Sequence, residues 1–275
     1  MTLMQVYLKS PRELTRSMWR HRRLLSGLTK REVVGRYRGS FLGIMWSFFN
    51  PLFMLAVYTF VFSVVFNARW SGSGGSKVEF ALALFAGMIV FNVFSECVNR
   101  APGLILGNVN YVKKVVFPLE VLPWVTLGAA TFHMLISLSV WLVFYLVFFG
   151  IPHWTVLLLP FVMLPLLLMT AGFCFALAAL GVYLRDVSQV VTVATTALLF
   201  LSPIFYPVSA LPPAYQTIIH LNPLTLIIEQ TRGILIAGIV PNLSAWVIGL
   251  GISILMTWLG FFMFQKTRKG FADVL

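Results

Sequence analysis

Long stretches without charge dictate more about this chain than any other feature. A hydrocarbon core ~30 Å thick takes about twenty helical residues to cross. Uncharged apolar runs of that length cover 41–66, 80–99, 121–149, 155–183, 188–206 and 245–264, the second flawed by Glu96. In lipid each backbone N–H and C=O needs an internal partner, which leaves helices or a closed barrel. None of the runs alternates as a barrel strand does, so helices are expected. With 59% apolar and 10% charged residues among 275, a water-soluble globular domain is excluded. The expected fold is an all-α integral membrane domain over 1–275 with six transmembrane helices.

The net charge of +12 raises the question of nucleic acid. The basic residues instead cluster at the ends of apolar runs, as cytoplasmic loops facing anionic lipid heads do, so no nucleic-acid partner is expected. Of 20 Lys and Arg, ten fall in 1–40, three in the 95–120 loop, one is Arg185 and three close the tail. Six spans with both termini cytoplasmic put all of these inside, leaving Arg69, Lys77 and Arg232 outside. A seventh candidate, 224–240, carries Glu229, Gln230 and Arg232 and would move Lys266, Arg268 and Lys269 to the wrong face. Residues 203–240 are therefore expected to form an outer re-entrant hairpin, broken by Pro203, Pro207, Pro212, Pro213 and Pro223.

Ahead of the first run, Ser10-Pro11-Arg12-Glu13 reads as a capping box with proline at the first helical position. Over 10–28, Leu14, Met18, Leu25 and Leu28 share a narrow face opposite Arg12, Arg16 and Arg23, which predicts a helix lying on the cytoplasmic leaflet. The polar, basic start and the long run after it do not suit a cleavable signal peptide. Ser71 to Gly75 suits a short flexible external loop. Cys97 and Cys174 stand far apart in apolar surroundings, and neither a disulfide nor a metal site is expected.

No Gly-x-x-x-x-Gly-Lys-Ser/Thr phosphate loop occurs, so active transport would require an ATPase on another chain, and this chain is not expected to be an enzyme by itself. His21, His133, His153 and His220 are scattered and suit interfacial or packed roles. The inside connection 100–120 alternates short apolar stretches with Lys113, Lys114 and Glu120. It predicts either a small helix against a soluble partner or a snorkelling surface loop. Arg36 and Arg38, at the level of lipid phosphates, either set orientation or hold a pyrophosphate through bidentate bonds. Asn50 and Pro51 imply that the first span faces protein or a cavity. Trp46, Phe48, Phe49, Tyr58, Phe200, Phe205 and Tyr206 are belt or core residues, or stack on sugar rings along a glycan path. Glu96, Arg185 and Asp186 should each be paired or wet, mutual pairing of Arg185 and Asp186 being the simplest option.

Taken in order, several motifs resemble the permease subunit of type-2 ABC exporters for polysaccharides. They are Arg31-Glu32-x-x-x-Arg36-Tyr37-Arg38-Gly39-Ser40-x-Leu42-Gly43-x-x-Trp46, Asn50-Pro51, Lys113 to Glu120, Tyr183-x-Arg185-Asp186, Ser202-Pro203-Ile204-x-Tyr206-Pro207 and Asn222-Pro223. The resemblance implies a homodimer of six-helix subunits in the bacterial cytoplasmic membrane. Two copies of a separate ATPase, which binds the ATP and Mg, would dock on it. This chain would bind no cofactor or metal. The cargo implied is a lipid-linked glycan, O antigen on undecaprenyl pyrophosphate first, with capsular polysaccharide and teichoic acid close behind and small-molecule efflux or passive assembly as other classes. By position, Arg31, Arg36 and Arg38 would form the lipid-pyrophosphate gate. Lys113, Lys114, Phe117, Pro118 and Glu120, with Arg185 and Asp186, would meet the ATPase. Residues 203–223 would cap the channel, and the seven aromatics would guide the sugar chain.

Overall fold

The computed structural model describes residues 11–61, 77–113 and 117–275, and every regular element among them is helical. Ser10, the Ser71 to Gly75 loop, the end of the first run at 62–66, and Lys114 lie outside the described residues.

The chain opens with α1 (Pro11–Arg20) and α2 (Arg22–Tyr37). Glu13 in the first turn of α1 and Arg20 in its last complement the helix dipole and approach to 3.5 Å. The expected single helix over 10–28 is thus two, meeting at His21 and running nine residues further. Its apolar face is only partly covered: Leu14 and Leu25 pack on the core, whereas Met18 is exposed. A bend at Arg38 and Gly39, the latter at φ 85°, turns the chain into α3 (Trp46–Tyr58), which holds Pro51 inside.

Next comes α4 (Lys77–Arg100), apolar on all faces and correspondingly buried from Phe80 to Val98 apart from a few positions. A short α5 (Val109–Lys113) lies in the following connection, before α6 (Val121–Phe149) and α7 (Leu159–Tyr183). After α8 (Val187–Leu201) come α9 (Pro213–His220) and α10 (Pro223–Arg232), which runs into a π turn at Gly233–Ala237. The chain closes with α11 (Leu243–Thr267) and α12 (Phe271–Val274).

Among the described residues, five helical stretches are long and apolar enough to cross a membrane: Gly43–Val61, Lys77–Gly103, Val121–Phe149, Trp154–Tyr183 and Leu243–Val274. The run expected over 188–206 gives only the 15 residues of α8, roughly 22 Å at 1.5 Å per residue. Pro203 explains the stop, because it forces Ser202 out of the helical region to ψ 146°. The tempting run at 224–240 likewise stops short, ending where Gly238 takes φ 67°.

Lipid tails are as apolar as leucine, so helices in such a protein are held by close packing and internal polar bonds. The α7–α11 contact depends on two glycines. A Cβ on Gly172 would lie 2.6 Å from the Met256 carbonyl oxygen, and one on Gly260 would lie 2.1 Å from that of Gly172. Aromatic edges fill the centre, with Phe94 on Phe173 at 5.6 Å and Trp124 on Phe175 at 5.7 Å between ring centroids.

Candidate functional site

A cavity of about 640 Å³ opens between α2, α3, α4 and α6. Each helix supplies polar groups. Arg36 and Tyr37 come from the end of α2, Asn50 from α3, Glu96 and Arg100 from the last two turns of α4, and His133 from the middle of α6. Residues 92, 96 and 99 repeat at helical spacing, so Asn92, Glu96 and Asn99 face one side of an otherwise apolar helix. Trp46 and Tyr58 add aromatic faces to the same wall.

Glu96 is the hub. Arg36 donates to its Oε1 at 2.5 Å, and His133 Nδ1 lies 3.0 Å from Oε2. Arg100 is 3.6 Å from the same Oε1 and also pairs with Glu32 of α2. Tyr37 Oη sits 3.2 Å from His133 Nε2. The tautomer that satisfies these groups has Nδ1–H donating to Glu96 and Nε2 accepting from the Tyr37 hydroxyl. Burial raises the Tyr37 pKa above its ordinary value, the neighbouring Arg36 opposing and Glu96 adding to that shift. Tyr37 therefore stays a neutral donor at physiological pH. The Arg36 side chain is 47% exposed against 16% for Glu96, so its guanidinium is neutralised on one side and open to the cavity on the other. Glu96 is paired, as the cost of a lone charge in an apolar run requires.

The other expected gate residues lie nearby but are not equivalent. Arg31 reaches the Tyr111 hydroxyl of the following connection at 3.4 Å. Arg38 caps α2 and is exposed, its side chain bonded to no described residue.

The coupling residues gather in a separate layer. Tyr111 stacks on Phe117 with centroids 4.3 Å apart, and Pro118 accepts through its carbonyl from Val121 N–H to start α6. Arg268 donates to Glu120 Oε2 at 2.7 Å and to the Phe117 carbonyl at 3.0 Å, while Ser17 of α1 donates to Glu120 Oε1 at 3.2 Å. Lys113 donates to the main-chain oxygen of Leu275 at 2.5 Å. Arg185 and Asp186 are both exposed at the α7–α8 corner and do not pair with each other. Asp186 instead starts α8, its carbonyl accepting from the N–H groups of Gln189 and Val190. Its exposed side chain makes no cap bond.

The seven aromatics do not form one path in this subunit. Trp46 and Tyr58 line the cavity, whereas Phe48 and Phe49 pack edge-on to each other outside its wall. Phe200, Phe205 and Tyr206 form a distinct group, with Phe200 and Phe205 stacked at 5.9 Å and the Tyr206 hydroxyl donating to the Phe200 carbonyl.

Two residues gain weight from the structure. His133 looks, in sequence, like one more scattered histidine, and only the fold brings it to Glu96. Arg232, assigned to the outside by charge counting, is 7% exposed and donates to the carbonyls of Ala83, Pro203 and Ile204 at 2.7, 2.5 and 2.5 Å. Close by, Asn222 caps α10 and donates to Ser202 Oγ at 2.9 Å, so the Ser202-Pro203 and Asn222-Pro223 motifs meet in space.

Comparison with known proteins agrees with this architecture. Two relatives are each named O-antigen export system permease protein RfbA. The one from Myxococcus xanthus is 29% identical over 262 residues, covering 94% of this chain and 98% of the relative. The one from Klebsiella pneumoniae is 26% identical over 253 residues, covering 92% and 95%. The polysialic acid transport protein KpsM of Escherichia coli is 24% identical over 223 residues, covering 78% and 81%. The family model for ABC-2 type transporters matches residues 23–236, which takes in the cavity and both proline motifs, and the chain is a member of that family.

Proposed function

We propose that this chain is the membrane permease of an ATP-driven exporter that moves a lipid-linked polysaccharide out of the bacterial cytoplasm. The observation that carries the reading is the cavity wall. It combines flat aromatic faces with amide and hydroxyl groups, the chemistry that receives sugar rings, and places arginines at one end, the chemistry that receives phosphate. The names of the relatives support glycan as cargo. O antigen on a polyprenyl pyrophosphate is the leading substrate. Capsular polysaccharide is the second reading, because KpsM is a polysialic acid transport protein.

In this proposal two copies of the chain enclose the path, with both termini on the cytoplasmic side and two copies of a separate ATPase docked there. The ATPase meets the 100–120 connection, including Lys113, Phe117, Pro118 and Glu120, and the Arg185–Asp186 corner. α8 crosses as a sixth, short span, and α9 with α10 re-enters from the outer face to cap the path. Arg36 and Arg38 receive the pyrophosphate, with Arg31 behind them. Arg38 is the free hand of the gate, and Arg36 the one already committed to Glu96.

Arg36→Ala combined with Arg38→Ala tests the gate. Surface polysaccharide, read on gels, should fall about tenfold or more, the scale set by losing one or two charge-assisted bonds, while lipid-linked polymer accumulates inside and the ATPase still co-purifies. Undiminished surface polymer would sink the gate, and unchanged surface glycan on deleting the whole chain would favour small-molecule efflux.

A further inference from the structure

The segment from Thr267 to Leu275 touches both elements assigned above to the ATPase contact, and it touches each through specific bonds. Toward the 100–120 connection, one Arg268 guanidinium bridges the Glu120 carboxylate and the Phe117 carbonyl, and Lys113 donates to the Leu275 main-chain oxygen. Toward the α7–α8 corner, the Tyr183 hydroxyl donates to the Thr267 carbonyl at 2.9 Å, two residues before Arg185. Phe271 stands against Tyr183 with centroids 6.1 Å apart and against Phe264 at 5.5 Å, and is fully buried. A loosely attached tail would not bury a phenylalanine completely or satisfy a guanidinium on two partners.

We infer that residues 267–275 form a brace joining the 100–120 connection to the Arg185–Asp186 corner, so that a docked ATPase moves both as one body. The inference rests on the proposal that these two elements meet the ATPase. The faces left outward fit such a partner: Leu106 and Asn110 of the connection, and Arg185 and Asp186 of the corner, are exposed while the brace covers the inner side. Glu120 is also held by Ser17, so α1 leans on the same joint, and a push on the connection reaches α2 and the Arg36 end of the cavity.

The test uses the full chain with its ATPase. Arg268→Glu and Glu120→Arg should each lower export about fivefold or more at undiminished ATPase co-purification, a typical coupling magnitude. The double exchange should recover much of that loss. No loss in either single variant, or no recovery in the double variant, would count against the brace. A photocrosslinker at Asn110 or Asp186 keeps the two levels apart: if neither position captures the ATPase in the wild-type complex, the docking proposal fails whatever the tail variants do.

Discussion

Two arginines lie against the same central helix, and their surroundings are opposite. Arg232 is buried and anchored to three backbone carbonyls, one on α4 and two on the Pro203–Ile204 bend, in the space left beside Gly87, where a Cβ would come within 2.8 Å of its guanidinium. Arg36 is half exposed, and its side chain donates to the Glu96 carboxylate, which it shares with the His133 imidazole of a further helix. A guanidinium bonded to main-chain oxygens fixes where chain segments go. One bonded to titratable side chains, with its other edge open to a cavity, can exchange partners. The first arginine is framework and the second is presented to a ligand.

The largest effect is expected from attacking the framework. Arg232→Ala strands buried carbonyls of Pro203 and Ile204 at ~1–3 kcal/mol each and empties a side-chain volume, so the detergent-solubilised protein should lose about 3–5 kcal/mol of stability. Thermal unfolding followed by tryptophan fluorescence reads this directly. Arg36→Ala should lower the midpoint much less, because His133 and Arg100 still hold Glu96, while export falls. If the two variants melt alike, the distinction between framework and presented arginine is broken.

Much of this contrast was out of reach of the sequence, for physical reasons. Length and hydropathy act locally, so the helix over 121–149 could be read from the residues themselves, whereas the span expected over 188–206 runs past the stop that Pro203 imposes at Ser202. Charge counting assumes that a basic residue stays wet, and Arg232 escapes that rule by bonding to carbonyls of residues 28, 29 and 149 positions away. Glu96 announced its need for a partner, but His133 lies 37 positions further on in another apolar run, where one histidine leaves no periodic signal. The amphipathic reading of 10–28 treated the segment as lying flat on lipid. In the fold α2 continues to Tyr37, and its last turn bonds to the middle of α6. The corner at Arg185 and Asp186 could be placed, but not which of the two options its side chains take: both are exposed and unpaired with each other.

An intermediate effect is expected at the hub. Glu96→Gln keeps the shape but removes the charge that Arg36 and Arg100 share, so Arg36 loses its carboxylate while Arg100 keeps only Glu32. Charge-assisted bonds of this kind are worth ~1.5–3 kcal/mol, and the variant should lose part of that in stability and most of its export. Glu96→Asp, which restores the charge on a shorter arm, should recover export more than stability. Equal recovery of both would mean that Glu96 serves only packing and would sharpen the comparison by moving it into the framework class.

The smallest effect belongs to Tyr37→Phe. Only the hydroxyl bond to His133 Nε2 is lost, worth about 0.5–1.5 kcal/mol, and the ring's edge contact with the imidazole at 6.1 Å remains. The pH dependence gives the sign. A tyrosine whose folded-state pKa lies above its unfolded value binds its proton more tightly when folded, so its contribution is fully present below the unfolded pKa and is lost as pH rises through the folded one. Wild-type stability should therefore decline through the alkaline tyrosine range in a step that Tyr37→Phe lacks, with the two proteins differing by a constant amount at neutral pH. Matching alkaline profiles would show that the Tyr37 hydroxyl is wet rather than held against His133, and would loosen the cluster from its outermost member inward.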